Sequence, residues 1–388
     1  MKALFVNAEW KPKAGYRLTE AERIKRKAFT GNQVWRNPHF EFKEVPTPDL
    51  EDDEVLIKVK ACGICGSDTH LYETDAEGYI IFSGVVKLPC IVGHEFSGIV
   101  EKKGGKVSRL NIGDAVASES ILWCGLCTPC RRGDLNQCQQ IELLGLSSYG
   151  ALAEFIAIKE KYCWKLNGLR QVTRGDELFE IGALIEPVGC AYNGLFVGGG
   201  GFNPGDTLVV YGAGPIGLAS IALGRIAGAS KIIAFDMLDK RLELAKTMGA
   251  DFVFNLVQLQ NEKCRPSDKV LELTGGEGAN IQIEAAGDAP RTIPEMESSM
   301  APNSKIIYLG RAATFGSLNI NVLVSGAGRI QGVRGHAGND IFPNIIKLLE
   351  TRRLRIGDMI TARYQFSEAL EAIKCSTYRN DGKILVKM

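Results

Sequence analysis

Four cysteines fall within fifteen residues in the run C-G-L-C-T-P-C-R-R-G-D-L-N-Q-C, at Cys124, Cys127, Cys130 and Cys138, on a stretch broken by Gly125, Pro129 and Gly133. Short C-x2-C turns bring thiolates to one point, and a tetrahedral zinc ion takes four soft donors, leaving no position for water or substrate. The expectation is a structural zinc that staples a lobe lacking a core of its own. Two disulfides or an iron–sulfur cluster would use the same thiols. The opening residues MKALFVNAEW lack the apolar run of a secretory signal, which weighs against disulfides.

At 388 residues the chain exceeds the usual ceiling for one hydrophobic core, so two domains are expected. Lys plus Arg (46) nearly balances Asp plus Glu (45), a formal net charge of +1 that suits neither a nucleic-acid partner nor an anionic membrane. No apolar stretch is long enough to span a bilayer, and the expectation is a cytoplasmic protein. Of the eleven cysteines, Cys62, Cys90, Cys163, Cys190, Cys264 and Cys375 read as ordinary buried thiols.

From Val45 to about Val116, short β-branched runs such as VLIKVKA and FSGIV alternate with Gly, Pro and Asp, the pattern of a compact all-β unit. From Asp206 the rhythm becomes strand, glycine turn, helix. LVVY leads to a helix from about Pro215 to Ala227, and KIIAF to one from about Asp239 to Met248. IQIEAAG and KIIYLG read as further buried strands of a doubly wound parallel sheet. Helices are also expected near Phe342–Glu350 and Ser367–Lys374, with the terminal piece rejoining the first domain. The domains are therefore 1–189 together with 334–388, and 190–333. Residues 10–38 look like an inserted surface segment.

The segment LVVYGAGPIGLASIALGRIAG sets Gly212, Gly214 and Gly217 directly after a strand and at the opening of a helix. These glycines would serve the tight turn, the close approach of a pyrophosphate and the packing of helix on strand. The helix N-terminus adds free amides and a positive dipole end. Ile216, within this turn, belongs to the same cofactor site. Asp236 ends the next strand at the spacing of a ribose-binding carboxylate, which favours NAD(H) over NADP(H), whereas Arg241 close by could serve either a ribose or a phosphate.

A second ligand set is dispersed: A-C-G-I-C-G-S-D-T-H at 61–70 and V-G-H-E at 92–95. A catalytic zinc keeps about three protein ligands and an open position, so wide spacing is the expected form. Cys65 and His94 are the first ligands; Glu95 and Glu186, the latter in L-I-E-P-V-G, are both candidates for the third. A Lewis-acidic zinc acidifies a bound hydroxyl and readies its carbon for hydride transfer to nicotinamide. Ser67 and His70 would carry the proton out, the serine passing it by way of the cofactor ribose to an imidazole near the surface. Turn capping and a solvated imidazole are the plainer reading of the same two residues. Asp68 reads as the carboxylate that orients His94.

The motifs C-G-I-C-G-S-D-T-H, G-H-E-F-S-G, the four-cysteine lobe, G-A-L-A-E-F, L-I-E-P and G-A-G-P-I-G resemble those of the zinc-containing medium-chain dehydrogenase/reductases over essentially the whole chain. The resemblance implies an α/β architecture: a GroES-like, β-rich catalytic domain from both chain ends around a Rossmann domain, with zinc and nicotinamide in the cleft between. It implies two zinc ions per chain, Cys65, His94 and Glu186 at the catalytic one with Glu95 on or beside it, and a dimer or tetramer. Glu186, where liver-type alcohol dehydrogenases carry cysteine, is similar to the polyol branch. V-W-R-N-P, T-D-A-E-G-Y-I, I-L-W-C-G-L-C, P-V-G-C-A-Y-N and G-H-A-G-N-D-I-F-P resemble a cyclitol-oxidising member of inositol catabolism. They imply a polyhydroxylated ring as substrate. Tyr79, Tyr149, Asn193 and His336 are side chains able to read its hydroxyls. An L-threonine-type or simple secondary alcohol dehydrogenase, and a dinucleotide-binding protein without catalysis, are the competing functions.

Overall fold

Residues 54–63, EVLIKVKACG, bury most of their apolar side chains. In the computed structural model, which describes residues 1–311, 315–336 and 338–388, they form the strand Glu54–Gly63 inside a seven-stranded sheet. This strand pairs antiparallel with Glu95–Lys103. Its opening residues also take Phe155–Lys159, and its last three take Lys383–Lys387. Ala115–Ser118 and Cys163–Lys165 extend the sheet past Glu95–Lys103, and Ile360–Gln365 runs parallel to Lys383–Lys387 at the other end. The chain's last strand thus completes a sheet that its first hundred residues begin.

The second large sheet has six parallel strands in the order Phe252–Asn255, Lys231–Asp236, Thr207–Tyr211, Ala279–Glu284, Met300–Tyr308, Arg329–Gly332. Thr207–Tyr211 is buried at every residue, as a strand covered on both faces must be. Each such aliphatic side chain contributes roughly 1.5–3 kcal/mol. The helices Pro215–Ile226 and Asp239–Met248 follow Thr207–Tyr211 and Lys231–Asp236, within a residue of their predicted bounds. Strand order reverses between Thr207–Tyr211 and Ala279–Glu284, which opens a crevice at the carboxyl ends of the strands where a doubly wound sheet takes its ligand.

A helix the sequence reading did not place, Glu177–Tyr192, is buried over nearly its whole length and continues into a π-helical turn, Asn193–Val197. Its Leu178, Ala183, Leu184 and Val188 share one core with Ala61, Ala115 and Leu385 of the first sheet and Leu208, Ala234 and Ile283 of the second. It positions Glu186 where the two sheets meet. No described helix is long and apolar enough to cross a membrane.

The segment 10–38 is more than a surface insertion. Strands Lys2–Trp10 and Trp35–Glu44 pair antiparallel, and the loop between them folds around buried Glu22, which accepts hydrogen bonds from Tyr16 Oη (3.0 Å), Thr19 N (2.8 Å) and Phe29 N (2.9 Å). Lys27 Nζ donates to the Ile141 carbonyl (2.8 Å) and to Glu142 (2.6 Å), fastening the loop to the base of the four-cysteine lobe. Its charged composition hid these partners, which lie more than a hundred residues away.

Candidate active site

Gly63 and Glu95 are paired across neighbouring strands, so the turn that follows the first and the V-G-H-E run that opens the second meet at one sheet end. Cys65 begins the helix Gly66–Tyr72, and the ligand atoms of Cys65, His94 and Glu95 lie within 4.8 Å of one another. Asp68, fully buried, holds the two segments together: Oδ2 accepts from Cys65 N (2.9 Å) and Oδ1 from Gly93 N (3.3 Å). It stands 3.9 Å from His94 Nδ1, beyond hydrogen-bond reach, so its grip is on the backbone of Cys65 and Gly93 where the sequence reading gave it the imidazole. Gly93 is left-handed (φ +87°), and a Cβ there would press on Leu152 Cγ at 2.7 Å. Burial opposes charge on His94, yet Asp68 and Cys65 outweigh it and hold its pKa well above the imidazole range.

Glu186 falls in a second ligand-capable group, with Cys190 and His336. Ser120 Oγ donates to Glu186 Oε1 (2.5 Å), and His336 Nε2 lies 3.0 Å from the same oxygen. Burial alone would raise the pKa of Glu186, but His336, the nearby His94 and Ser120 bring it down to about 2, so it is ionised. Glu95 lies against the ammonium of Lys383, also wholly buried. Burial and Glu186 raise the pKa of Glu95 while Lys383 and His94 pull the other way. Cys62, Cys90 and Cys163 are buried thiols as expected, whereas Cys264 and Cys375 are partly exposed, and Cys190 belongs to the ligand-capable group.

Ser67 Oγ is 3.4 Å from His94 Nε2. His70, on the same helix, is not a freely solvated imidazole. Burial, then the charges of Arg379 and Arg311, push its pKa down to about 4. Of the side chains expected to read hydroxyls, Tyr79 is buried beneath Lys13, whose Nζ sits 4.6 Å over its ring, and Tyr149 is exposed and packs edge-on against Phe5. Asn193 and His336 are turned to protein partners.

The four lobe cysteines present their sulfurs within 4.8 Å of one another. Cys124 Sγ accepts from Leu126 N (3.3 Å) and Cys127 N (3.4 Å), and Cys138 Sγ from Cys124 N and Gln140 N (both 3.3 Å). Leu126 N and Cys127 N bring the Cys124 thiol down to about 6, while burial pushes Cys130 up to about 12. The cage suits a thiolate-binding metal.

At the crevice of the parallel sheet, Gly212 turns with φ +93°, and a Cβ there would meet Ala286 N at 2.8 Å; a Cβ at Gly217 would collide with the Gly212 carbonyl. Gly214 caps the helix Pro215–Ile226, and a Cβ there would meet nothing nearer than Arg241 Nη1 at 3.6 Å. The protein's own packing demands the outer two glycines, whereas the middle one keeps space open at a helix N-terminus, the cradle of a pyrophosphate. Ile216 packs partly buried against the shared core. Asp236, at the end of its strand, accepts from Ala213 N (2.7 Å) and Leu238 N (3.0 Å), which still leaves lone pairs on each oxygen. Arg241 Nε donates to the Asp381 carbonyl (3.2 Å).

Sequence reasoning missed Ser120, Cys190 and Lys383, and gave His336 a different part. A lysine inside the apolar strand KILVK was the one available signal.

Comparison with known proteins agrees with this architecture. The family profile of the alcohol dehydrogenase GroES-like domain matches residues 51–168, and that of zinc-binding dehydrogenases matches residues 215–351. The chain is 39% identical over 360 residues to scyllo-inosose 3-dehydrogenase of Thermotoga maritima, covering 90% of each. It is 32% identical to L-threonine 3-dehydrogenase of Bacillus subtilis, covering 88% of this chain and 93% of that one. A solved structure assigned as an alcohol dehydrogenase of Thermotoga maritima superposes with a TM-score of 0.94 at 36% identity, covering both chains fully. With a GroES-like unit joined to a Rossmann sheet, and clusters of side chains able to hold a metal, the chain belongs to the zinc-containing medium-chain dehydrogenase/reductases, oxidoreductases of CH–OH groups.

Proposed function

We propose that the protein is an NAD-dependent dehydrogenase that oxidises a secondary alcohol of a polyol or cyclitol, with an inositol- or inosose-type ring as the substrate class. The observation that carries this reading is the convergence of Cys65, His94 and Glu95 on one point, with Glu186 of the neighbouring ligand-capable group close enough to act on His94. Cys65 and His94, with Glu186 or Glu95 as the third ligand, would hold the catalytic zinc. When bound, the ion supplies a Lewis acid that acidifies a substrate hydroxyl. Asp68 fixes the backbone of both ligand segments, and Ser120 and His336 keep Glu186 ionised and aimed. Ser67 and His70 would form the proton exit; burial, Arg379 and Arg311 make His70 a weak base, so it would pass a proton on to solvent and not retain it.

Cys124, Cys127, Cys130 and Cys138 would hold a second, structural zinc. Four reduced thiols suit the cytoplasm, where the enzyme would act as a homo-oligomer on a small polyhydroxylated molecule. Gly212, Gly214, Ile216 and Gly217 would take the dinucleotide, and Asp236 its ribose hydroxyls, a carboxylate that repels a 2′-phosphate and so favours NAD(H). Arg241, beside Gly214, is the residue that would weaken this preference.

The cyclitol assignment draws support from the Thermotoga relative named for scyllo-inosose. NADH absorbance across myo-inositol, scyllo-inosose, sorbitol and L-threonine tests it. Turnover on the cyclitols is expected; turnover on threonine alone would move the enzyme beside the Bacillus relative. NADH binding without turnover on any alcohol would make it a dinucleotide-binding protein.

A further inference from the structure

The four-cysteine lobe touches the neighbourhood of Glu186 at two points. Its base is the strand pair Ile121–Leu122 with Glu142–Leu143, and Ser120, the residue just before it, donates to Glu186. Between the third and fourth cysteines, Asn136 Nδ2 donates to the carbonyl of Arg334 (2.8 Å). That carbonyl, and the next at Gly335, also accept from Asn193 Nδ2 at 3.3 and 2.6 Å, and Asn193 lies in the π-helical turn that ends the Glu186 helix.

His336 follows directly. It is fully buried, its ring centroid lies 5.0 Å from that of Phe342, and its Nε2 meets Glu186. Gly189, one helical turn beyond Glu186, leaves room for it: a Cβ there would come to 3.4 Å from His336 Cγ. The same approach recurs at the lobe, where a Cβ on Gly335 would meet Ile121 Cδ1 at 2.6 Å and one on Gly338 would meet Leu135 Cδ1 at 2.6 Å. The backbone carrying His336 is therefore held from one side by the Glu186 helix and from the other by the lobe.

We propose that Asn136 is a positioning residue for Glu186: by holding the Arg334–Gly335 backbone it presents His336 to the carboxylate, and it ties the order of the four-cysteine lobe to the shape of the catalytic metal site. The proposal rests on the reading that Glu186 belongs to that site. The lobe is then more than a staple, because releasing its sulfurs frees Asn136 and with it one of the two supports of His336.

The test uses the full enzyme with cobalt(II) in both metal sites, comparing Asn136→Asp, which keeps shape but loses the amide donor, His336→Ala, their combination and Glu186→Gln. Asn136→Asp is expected to keep the thiolate-to-cobalt band of the lobe and the affinity for NADH. It should shift the visible band of the catalytic cobalt and lower kcat/KM by about fivefold, the worth of one lost hydrogen bond. In the His336→Ala background the same change should add nothing, since the two act through one contact. An unshifted catalytic band in Asn136→Asp, or losses that multiply in the double variant, would overturn the proposal. If instead Glu186→Gln leaves the catalytic band where it was, the assignment of Glu186 to the metal falls, and the proposal with it.

Discussion

Lys383 and Glu95 form an ion pair in which each side chain is only 1% exposed, the lysine from the last strand of the chain and the glutamate beside His94. A buried pair of this kind is expensive to break from one side, because the remaining charge has neither water nor partner. Lys383→Met keeps the apolar stem and removes the charge. In chelator-treated protein it is expected to cost about 3–5 kcal/mol by urea unfolding, and less with metal present, since a bound cation would compensate Glu95. A cost under about 1 kcal/mol without metal would mean that Glu95 is neutral and the pair carries no charge.

His70 gives a pH prediction with a definite sign. Its folded pKa of about 4 lies below the ordinary 6.5, because burial, Arg379 and Arg311 oppose the imidazolium. The unfolded chain therefore takes up a proton that the native state refuses. Stability from this group is intact above about pH 6.5 and drains away as pH falls towards 4, by roughly 3 kcal/mol in all. His70→Gln should flatten that part of the stability curve. Parallel curves for the two proteins between pH 6.5 and 4 would show that His70 titrates normally.

Features encoded within a short stretch of chain were legible from the residues alone. The glycine turn, its flanking strand and helix, and the four-cysteine lobe each need only neighbours in sequence, and the structure places them together. Cys65 and His94 could be matched by their ligand chemistry alone; the structure brings them together because Cys65 follows, and His94 precedes, two strands adjacent in the sheet. Lys383 could not, since a lysine in KILVK reads as one exposed side chain of an edge strand until the register Leu385–Gly63 brings its strand beside Cys65 and Glu95. Ser120 and His336 meet Glu186 across 66 and 150 residues, distances at which composition and spacing carry no information. Asp68 read as the carboxylate of His94, and only geometry separates a bond to the imidazole from the bonds it makes to the backbone of Cys65 and Gly93.

Cys65→Ser separates the metal from the cofactor. The hydroxyl is a poorer zinc ligand than a thiolate, so metal analysis is expected to fall from about two zinc ions per chain to about one, with the lobe site retained. Turnover should vanish while NADH fluorescence titration stays near wild type, because the dinucleotide cradle lies on the other sheet. Two ions and normal turnover in the variant would place the catalytic metal elsewhere.

Two glycines of one motif should answer differently to the same substitution. At Gly217 an added Cβ runs into the Gly212 carbonyl, whose position is set by the strand before it. Gly217→Ala should therefore destabilise the folded protein and weaken NADH together. At Gly214 the nearest atom would be Arg241 Nη1 at 3.6 Å, an ordinary contact at the end of a flexible side chain. Gly214→Ala should change stability by no more than about 1 kcal/mol, the scale of a helix-cap substitution. It should still weaken NADH by tenfold or more, because its methyl group fills the space at the helix N-terminus that the phosphates need. Thermal unfolding and NADH titration of the two variants side by side decide the matter: if Gly214→Ala binds NADH like wild type, the pyrophosphate does not lie over this turn.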